Sequence, residues 1–484
     1  MVDALSCFSF VGSFTTVLSH GVSWPSVLAE ASEAEVGPLV LAGVLLSLIT
    51  VYLAAKIGGE LCARVNLPPV LGELIGGVIV GVSALHLIVF PEGAGETGSI
   101  LMRLVESTTD MDSEGILSVF RGESEVVSVL AELGVIILLF EIGLESDLKE
   151  LIRVGPQAAV VAIIGVVFPF ALGTTGLIAL FNIPTVPAVF AGAALTATSI
   201  GITAKVLAEL QRLSSKEGQI IIGAAVLDDV LGIIVLAVVA SLAKTGEIEI
   251  QNVVILIVSA AAFLVGAIFI GRLLSPLFVG LVDQMKTRGE LIISSLVFAF
   301  ALSYVAATIQ LEAILGAFAA GLILAETPKH KELEEQILPI SDMLVPIFFV
   351  TVGARTDVSV LNPLDPANRE GLIIASFLVV VAIIGKIVTG FAVFGQPGIN
   401  RLAIGIGMIP RGEVGLVFAG VGSASGVLSE SLEAAIIVMV ILTTFLAPPL
   451  LRVVFKDSDT VPPTAPQEEA EITATSSEEQ ATTS

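Results

Sequence analysis

Asp228 and Asp229 stand side by side in an apolar run, Gly218 to Ala243, that carries no other charge. Adjacent carboxylates can bind a hard cation, carry protons or pair with a buried base. Their setting decides among these uses. About 20 apolar residues rising ~1.5 Å each cross a ~30 Å hydrocarbon core as a helix. An ionised Asp at that depth costs about 2.5–3.5 kcal/mol on insertion scales, so both must face protein or water. An ion or proton path is the favoured reading, and a structural pair held against a buried cation is the other.

Three further features fall at the same depth. Lys386 is the one charge in 371–394, within Ile-Gly-Lys-Ile-Val-Thr-Gly. Arg411 and Glu413 occupy the centre of 400–423 in Ile-Pro-Arg-Gly-Glu-Val-Gly, where they could form a local, supporting ion pair. The run from Thr196 to Thr203, with Thr198 and Ser199 inside it, is central in 187–208. Each has a plainer use. A lysine near a helix end snorkels to the interface, although Lys386 lies within about a turn of the segment's centre. Thr and Ser in membrane helices often back-bond to their own helix.

Helix geometry divides the work of the two carboxylates. Neighbouring helical residues point ~100° apart, so Asp228 and Asp229 cannot face one partner equally. One can pair with Lys386 while the other faces a cavity. Burial and pairing act oppositely on such groups, so their proton affinities can be tuned. A carboxylate also suits Na⁺, so cation and proton would compete for one group. That competition is a physical basis for antiport.

These residues need membrane helices to position them. The chain of 484 residues is 55% hydrophobic and 14% charged, with mean hydropathy +1.00, far from a soluble domain. Apolar runs fall at 37–57, 66–90, 126–144, 157–181, 187–208, 218–243, 252–280, 290–309, 311–326, 337–354, 371–394, 400–423 and 431–451, which reads as thirteen spans. Alternate loops hold most of the Lys and Arg, among them Lys149, Arg153, Lys205, Arg212, Lys216, Lys286, Arg288, Lys329 and Lys331. The intervening loops hold Arg103, Arg121, Lys244, Arg355 and Arg369. That bias puts the N-terminus outside and the C-terminus in the cytoplasm of a multi-pass cell-membrane protein.

The domain reading is an extracytoplasmic N-terminal segment over 1–36, a transmembrane domain over 37–455 and a disordered acidic tail over 456–484. Residues 4–22 suggest a short interfacial helix, since no basic residue precedes Lys56 to make a secretory signal. The formal charge of −24 gathers in that tail and in the outer loop 91–125, with Glu106, Glu114, Glu123 and Glu125. Such a rim either concentrates cations or serves solubility. Cys7 and Cys62 make no disulfide framework, and His20, His86 and His330 lack metal-ligand spacing. No nucleotide fingerprint, cofactor motif, enzyme site or nucleic-acid surface is evident.

Pro410, Gly412 and Gly415 beside an intramembrane ion pair mark a helix that unwinds, and Thr196–Thr203 with Gly201 marks another. In order these are the fifth and twelfth spans. Paired interruptions seven spans apart place them at equivalent points of two six-span halves of opposite orientation, the pointer to an inverted-repeat transporter with a midplane site.

The chain resembles the monovalent cation:proton antiporters of the CPA superfamily, in their NapA- and Kef-like branch. The resemblance rests on Leu133–Glu145, Thr196–Lys205, Ala225-Val-Leu-Asp-Asp-Val-Leu-Gly232, Ile314–Gly321, Pro346–Gly353, Lys386 and Pro410-Arg-Gly-Glu413. It implies an all-α fold of two inverted six-helix repeats with two broken crossing helices. It also implies a homodimer whose core bundle moves against a panel like an elevator. Asp229 would be the primary Na⁺ ligand, with Asp228 and Thr198 nearby. Asp228 would pair with Lys386 and exchange protons, and Thr196, Thr198 and Ser199 would lie at the crossing. The Asp-Asp pair implies electrogenic exchange that serves pH and sodium balance. Kef-type K⁺/H⁺ antiport, or use of Li⁺, is an alternative, although the nucleotide-binding domain usual in Kef proteins has no counterpart here. A sodium-coupled organic-solute symporter of the bile-acid type would share the architecture, with less need of a lysine opposite an Asp pair. A channel or sensor would need a continuous pore rather than one central site.

Overall fold

The computed structural model describes residues 28–91, 99–107, 113–245, 250–364, 368–395 and 398–458. The expected helix in 4–22, the tail beyond 458 and residues 92–98 and 108–112 of the outer loop lie outside the described residues. Among the described residues the chain is helix and connecting loop, with no strand. In order the helices are α1 (Leu28–Arg64), α2 (Pro69–Val80), α3 (Ile100–Ser107), α4 (Ser113–Glu145), α5 (Leu148–Phe181), α6 (Thr185–Ala194), α7 (Ile200–Glu209) and α8 (Lys216–Thr245). There follow α9 (Ile250–Gln284), α10 (Glu290–Thr308), α11 (Ala313–Ala325), α12 (His330–Ala354), α13 (Asn368–Phe391), α14 (Arg401–Gly407), α15 (Glu413–Ala424) and α16 (Glu430–Ser458).

Local chemistry sets several boundaries. Asp147 caps α5, its carboxylate accepting from the backbone N–H of Lys149 at 2.8 Å and of Glu150 at 3.2 Å. Asn182 ends the same helix in the left-handed region, at φ 54°, which Asn tolerates better than most residues. Pro69 opens α2, where its missing N–H leaves no helical bond unmade.

Each expected span coincides with one helix or one pair of helices. Among the described residues, eight helices are long and apolar enough to cross a membrane by themselves. Of the other five expected spans, four fall short for identifiable reasons. Spans 187–208 and 400–423 are each broken into two helices, 66–90 is helical only to Val80, and α11 has 13 residues, about 20 Å of helix. The expected span at 337–354 begins seven residues earlier, at His330, because a helix runs on into its polar end where hydropathy falls. The outer loop differs most. Ile100–Ser107 is helical, and α4 starts at Ser113 rather than near 126. Met102, Val105, Val119 and Phe120 form a small buried cluster there. Glu123, expected on an acidic rim, is buried, and Ser47 donates to its carboxylate at 2.5 Å.

The helices sort into two bundles. One, the panel, holds α1, α2, α4, α10, α11 and α12. The other, the core, holds α5–α8 and α13–α16. Helix α9 touches both, through α8 and through α10 and α11. The pairings repeat between the halves: α1 packs on α2 as α10 does on α11, α4 on α11 as α12 does on α2, and α5 on α8 as α13 does on α16. Close approach is built in at matching places. A Cβ on Gly143 of α4 would meet the Phe318 carbonyl of α11 at 2.4 Å, and one on Gly353 of α12 would meet the Leu74 carbonyl of α2 at 2.2 Å. Small residues let these backbones touch, which is how helices associate where no water drives them together.

Candidate functional site

The site is built where the core's two interrupted helices cross. Between α6 and α7 the chain runs non-helically through Leu195–Ser199, and between α14 and α15 through Met408–Gly412. The two links bond each other. The Ser199 N–H donates to the Pro410 carbonyl at 2.8 Å, the Thr198 hydroxyl to the Met408 carbonyl at 3.2 Å, and the Thr203 hydroxyl to the Gly407 carbonyl at 2.8 Å. The Thr444 hydroxyl of α16 donates to the Arg411 carbonyl. Gly412 is required at the contact, because a Cβ there would lie 2.8 Å from the Ser199 Oγ.

An interrupted helix leaves carbonyls without helical partners at its carboxyl end, where the helix dipole is negative. At α6 these carbonyls are met by cations. Arg411 donates from Nη2 to Leu195 O at 2.6 Å and from Nη1 to Ala197 O at 2.7 Å. Lys386 Nζ donates to Thr196 O at 2.8 Å, between them. Both side chains are fully buried. Arg411, read from the sequence as half of a local pair with Glu413, sends its guanidinium from the non-helical link across to the other broken helix. Glu413 opens α15, and its side chain lies outside the described residues.

Lys386 has a second partner. Its Nζ lies 3.2 Å from Asp228 Oδ2, both side chains having no solvent exposure. The other oxygen, Asp228 Oδ1, is buried with no hydrogen-bond partner among the described residues. Gly165 of α5 makes room for the ammonium, a Cβ there lying 3.1 Å from Nζ. Asp229, one step round α8, is 3% exposed and lines a cavity of about 90 Å³ with Thr198 and Ser199. Thus Asp228, Asp229, Lys386, Thr198 and Ser199 come together, with Arg411 behind them. Thr196 contributes its carbonyl to Lys386, while its hydroxyl bonds back to Ala193 O at 2.8 Å, the plainer use open to it.

The sequence reading passed over Glu312, on the wall of the same cavity at the start of α11. A signal was present, since Glu312 is the sole charge between Glu290 and Glu326. Thr203 and Thr444 carry no comparable mark, because a hydroxyl in an apolar run looks the same whether it bonds its own helix or another.

Two broken helices crossing beside a buried acid–base pair, inside a fold of repeated halves, define an inverted-repeat secondary transporter. The chain belongs to the sodium/hydrogen exchanger family, whose transmembrane model matches residues 39–456. It is 68% identical over 435 residues to the high-affinity Na⁺/H⁺ antiporter NhaS3 of Synechocystis sp., covering 90% of this chain and 94% of that one. It is 31% identical to the Na⁺/H⁺-K⁺ antiporter GerN of Bacillus cereus, over 84% of this chain and 95% of that one. The fold is that of the sodium proton antiporter MjNhaP1 of Methanocaldococcus jannaschii, with TM-score 0.53 at 16% identity, covering 89% of this chain and 97% of that one.

Proposed function

We propose that this protein exchanges Na⁺ for H⁺ across a membrane, with Asp229 as the carboxylate for which the two ions compete. The observation that carries this reading is Asp229 on a cavity wall beside a buried Asp228–Lys386 pair. A cavity of about 90 Å³ takes a cation and one or two waters, at ~30 Å³ per water. The Asp229 carboxylate and the Thr198 oxygen are the hard donors a sodium ion prefers. Membership in the exchanger family and the likeness to NhaS3 support Na⁺ as the cation. The printed name of GerN keeps K⁺ in the test.

On this reading the ion site rides on the core and the panel stays fixed, so the core's sliding exposes Asp229 to each side in turn. The division into two bundles supports this. The same reading takes all thirteen expected segments to cross the membrane, with the Lys/Arg-rich end of the molecule cytoplasmic, and two copies to form a dimer in the cell membrane. Asp228 and Lys386 hold opposite charges when paired. On this reading the pair also takes up a proton from one side and releases it to the other, in addition to the proton that replaces Na⁺ on Asp229. Two positive charges then cross against one, and the exchange is electrogenic.

The test uses proteoliposomes carrying a pH-sensitive dye, with Na⁺, Li⁺ and K⁺ added in turn. Na⁺ should drive proton movement in the native protein, and Asp229→Asn should lower it at least ~100-fold while keeping a native-like melting temperature. Undiminished exchange by a folded Asp229→Asn variant would overturn the role given to Asp229.

A further inference from the structure

The cavity that holds Asp229 is not built by the core alone. Its walls include Thr198, Ser199 and Asp229 from the core, but also Glu312, at the head of α11 in the panel. Glu312 lies beside the site on the side towards the end of the molecule opposite the Lys/Arg-rich loops, as α10 has run from Glu290 near Arg288 to Thr308 before α11 turns back. A larger cavity of about 560 Å³ lies between the bundles at that end and shares Phe348, Val352 and Gly412 as walls with the smaller one. Glu132 and Arg355 also line it. In this conformation the site therefore adjoins the space at that end.

We propose that Glu312 is a specificity residue that raises cation affinity on one face of the protein only. The inference rests on the antiport reading, in which Asp229 moves with the core while α11 does not. Thr198, Ser199 and Asp229 travel together and offer the cation the same oxygens in every state. Glu312 cannot travel with them. Its carboxylate adds negative potential beside Asp229 when the site faces the Glu132–Arg355 end, and the contribution is lost when the core slides towards the Lys/Arg-rich end. A group that meets the ligand in one of two states shifts affinity in that state and biases the equilibrium between them. The two faces of the carrier would then differ in affinity although the core's own oxygens are the same on both.

The experiment measures the apparent KM for Na⁺ separately from each face, in right-side-out and inverted membrane vesicles, for the native protein and for Glu312→Gln. The expected result is a rise of about fivefold or more in KM from the Glu132–Arg355 face, with KM from the other face unchanged. Glu312→Asp, which keeps the charge, should restore most of the difference. Equal changes on both faces, or none on either, would overturn the proposal. Should Glu312→Gln not fold, Glu312→Ser carries the same expectation, and failure of both to fold would make Glu312 a structural residue instead. A native protein that shows no Na⁺-driven proton movement would sink the antiport reading itself, an outcome distinct from those above.

Discussion

The two interrupted helices occupy equivalent places in the two halves of the molecule, yet their carboxyl ends are treated differently. At α6 three consecutive carbonyls, of Leu195, Thr196 and Ala197, receive charged donors from Arg411 and Lys386. At α14 the carbonyls of Gly407 and Met408 receive the neutral hydroxyls of Thr203 and Thr198. Both solutions answer the same need, since a buried carbonyl without a partner costs about 1–3 kcal/mol. The difference lies in what else the donors can do. A hydroxyl only bonds, whereas a buried ammonium must also balance charge, and Lys386 does so against Asp228. Arg411 holds its carbonyls through a group that stays protonated at any physiological pH. Lys386 shares the same helix end but can lose its proton. The fold thus places a permanent cation and an exchangeable one on a single helix terminus. The crossing would remain tied by Arg411 whichever state Lys386 is in.

That contrast can be broken from either end. Arg411→Gln strikes the α6 end hardest, because two charge-assisted bonds vanish from a dry site. At about 1.5–3 kcal/mol each, the loss should be roughly 3–6 kcal/mol, seen as the largest fall in melting temperature among these variants. A melting temperature within a degree of the native value would remove Arg411 from that role.

Lys386→Gln should cost less, about 3 kcal/mol, the low end for removing one partner of a buried pair, because Asp228 can take up a proton in compensation. Residual transport is expected, with less charge moved per cycle in voltage-clamped measurements on a supported membrane. Full stability together with unchanged charge movement would take Lys386 out of the site. At the α14 end, Thr203→Val removes one neutral bond and should cost about 1 kcal/mol with little change in transport. A loss as large as that of Arg411→Gln would erase the asymmetry between the two ends.

Much of this arrangement is legible in the sequence, and the reasons are physical. Charges in apolar runs are rare enough that Asp228, Asp229, Lys386 and Arg411 declare themselves, and the ~100° step between helical neighbours separates the two aspartates before any partner is known. The glycines and Pro410 announce the interruptions. What stays hidden is tertiary. Nothing local tells that Arg411 reaches across to the carbonyls of another broken helix rather than along its own chain. Glu123 looks like a solvated rim residue until Ser47 is seen donating to it from α1. Glu312 is as isolated in sequence as Lys386 but lies at a helix start, where a lone carboxylate is easily taken for a loop residue. Hydropathy finds apolar segments well and ends them poorly, because α4 and α12 continue as helix through largely polar stretches anchored by buried Val119, Phe120 and Leu333.

The central claim is that one carboxylate serves both ions, and the sharpest test is the proton balance of cation binding at equilibrium. Purified protein in detergent would be titrated with Na⁺ by calorimetry in buffers of different ionisation enthalpy, at a series of pH values. The account predicts that Na⁺ binding releases a proton to the buffer, and that on the acid side the apparent Kd rises by about tenfold per pH unit, as simple competition requires. Both effects should be absent in Asp229→Asn. Sodium binding that releases no proton, with an affinity indifferent to pH, would contradict it.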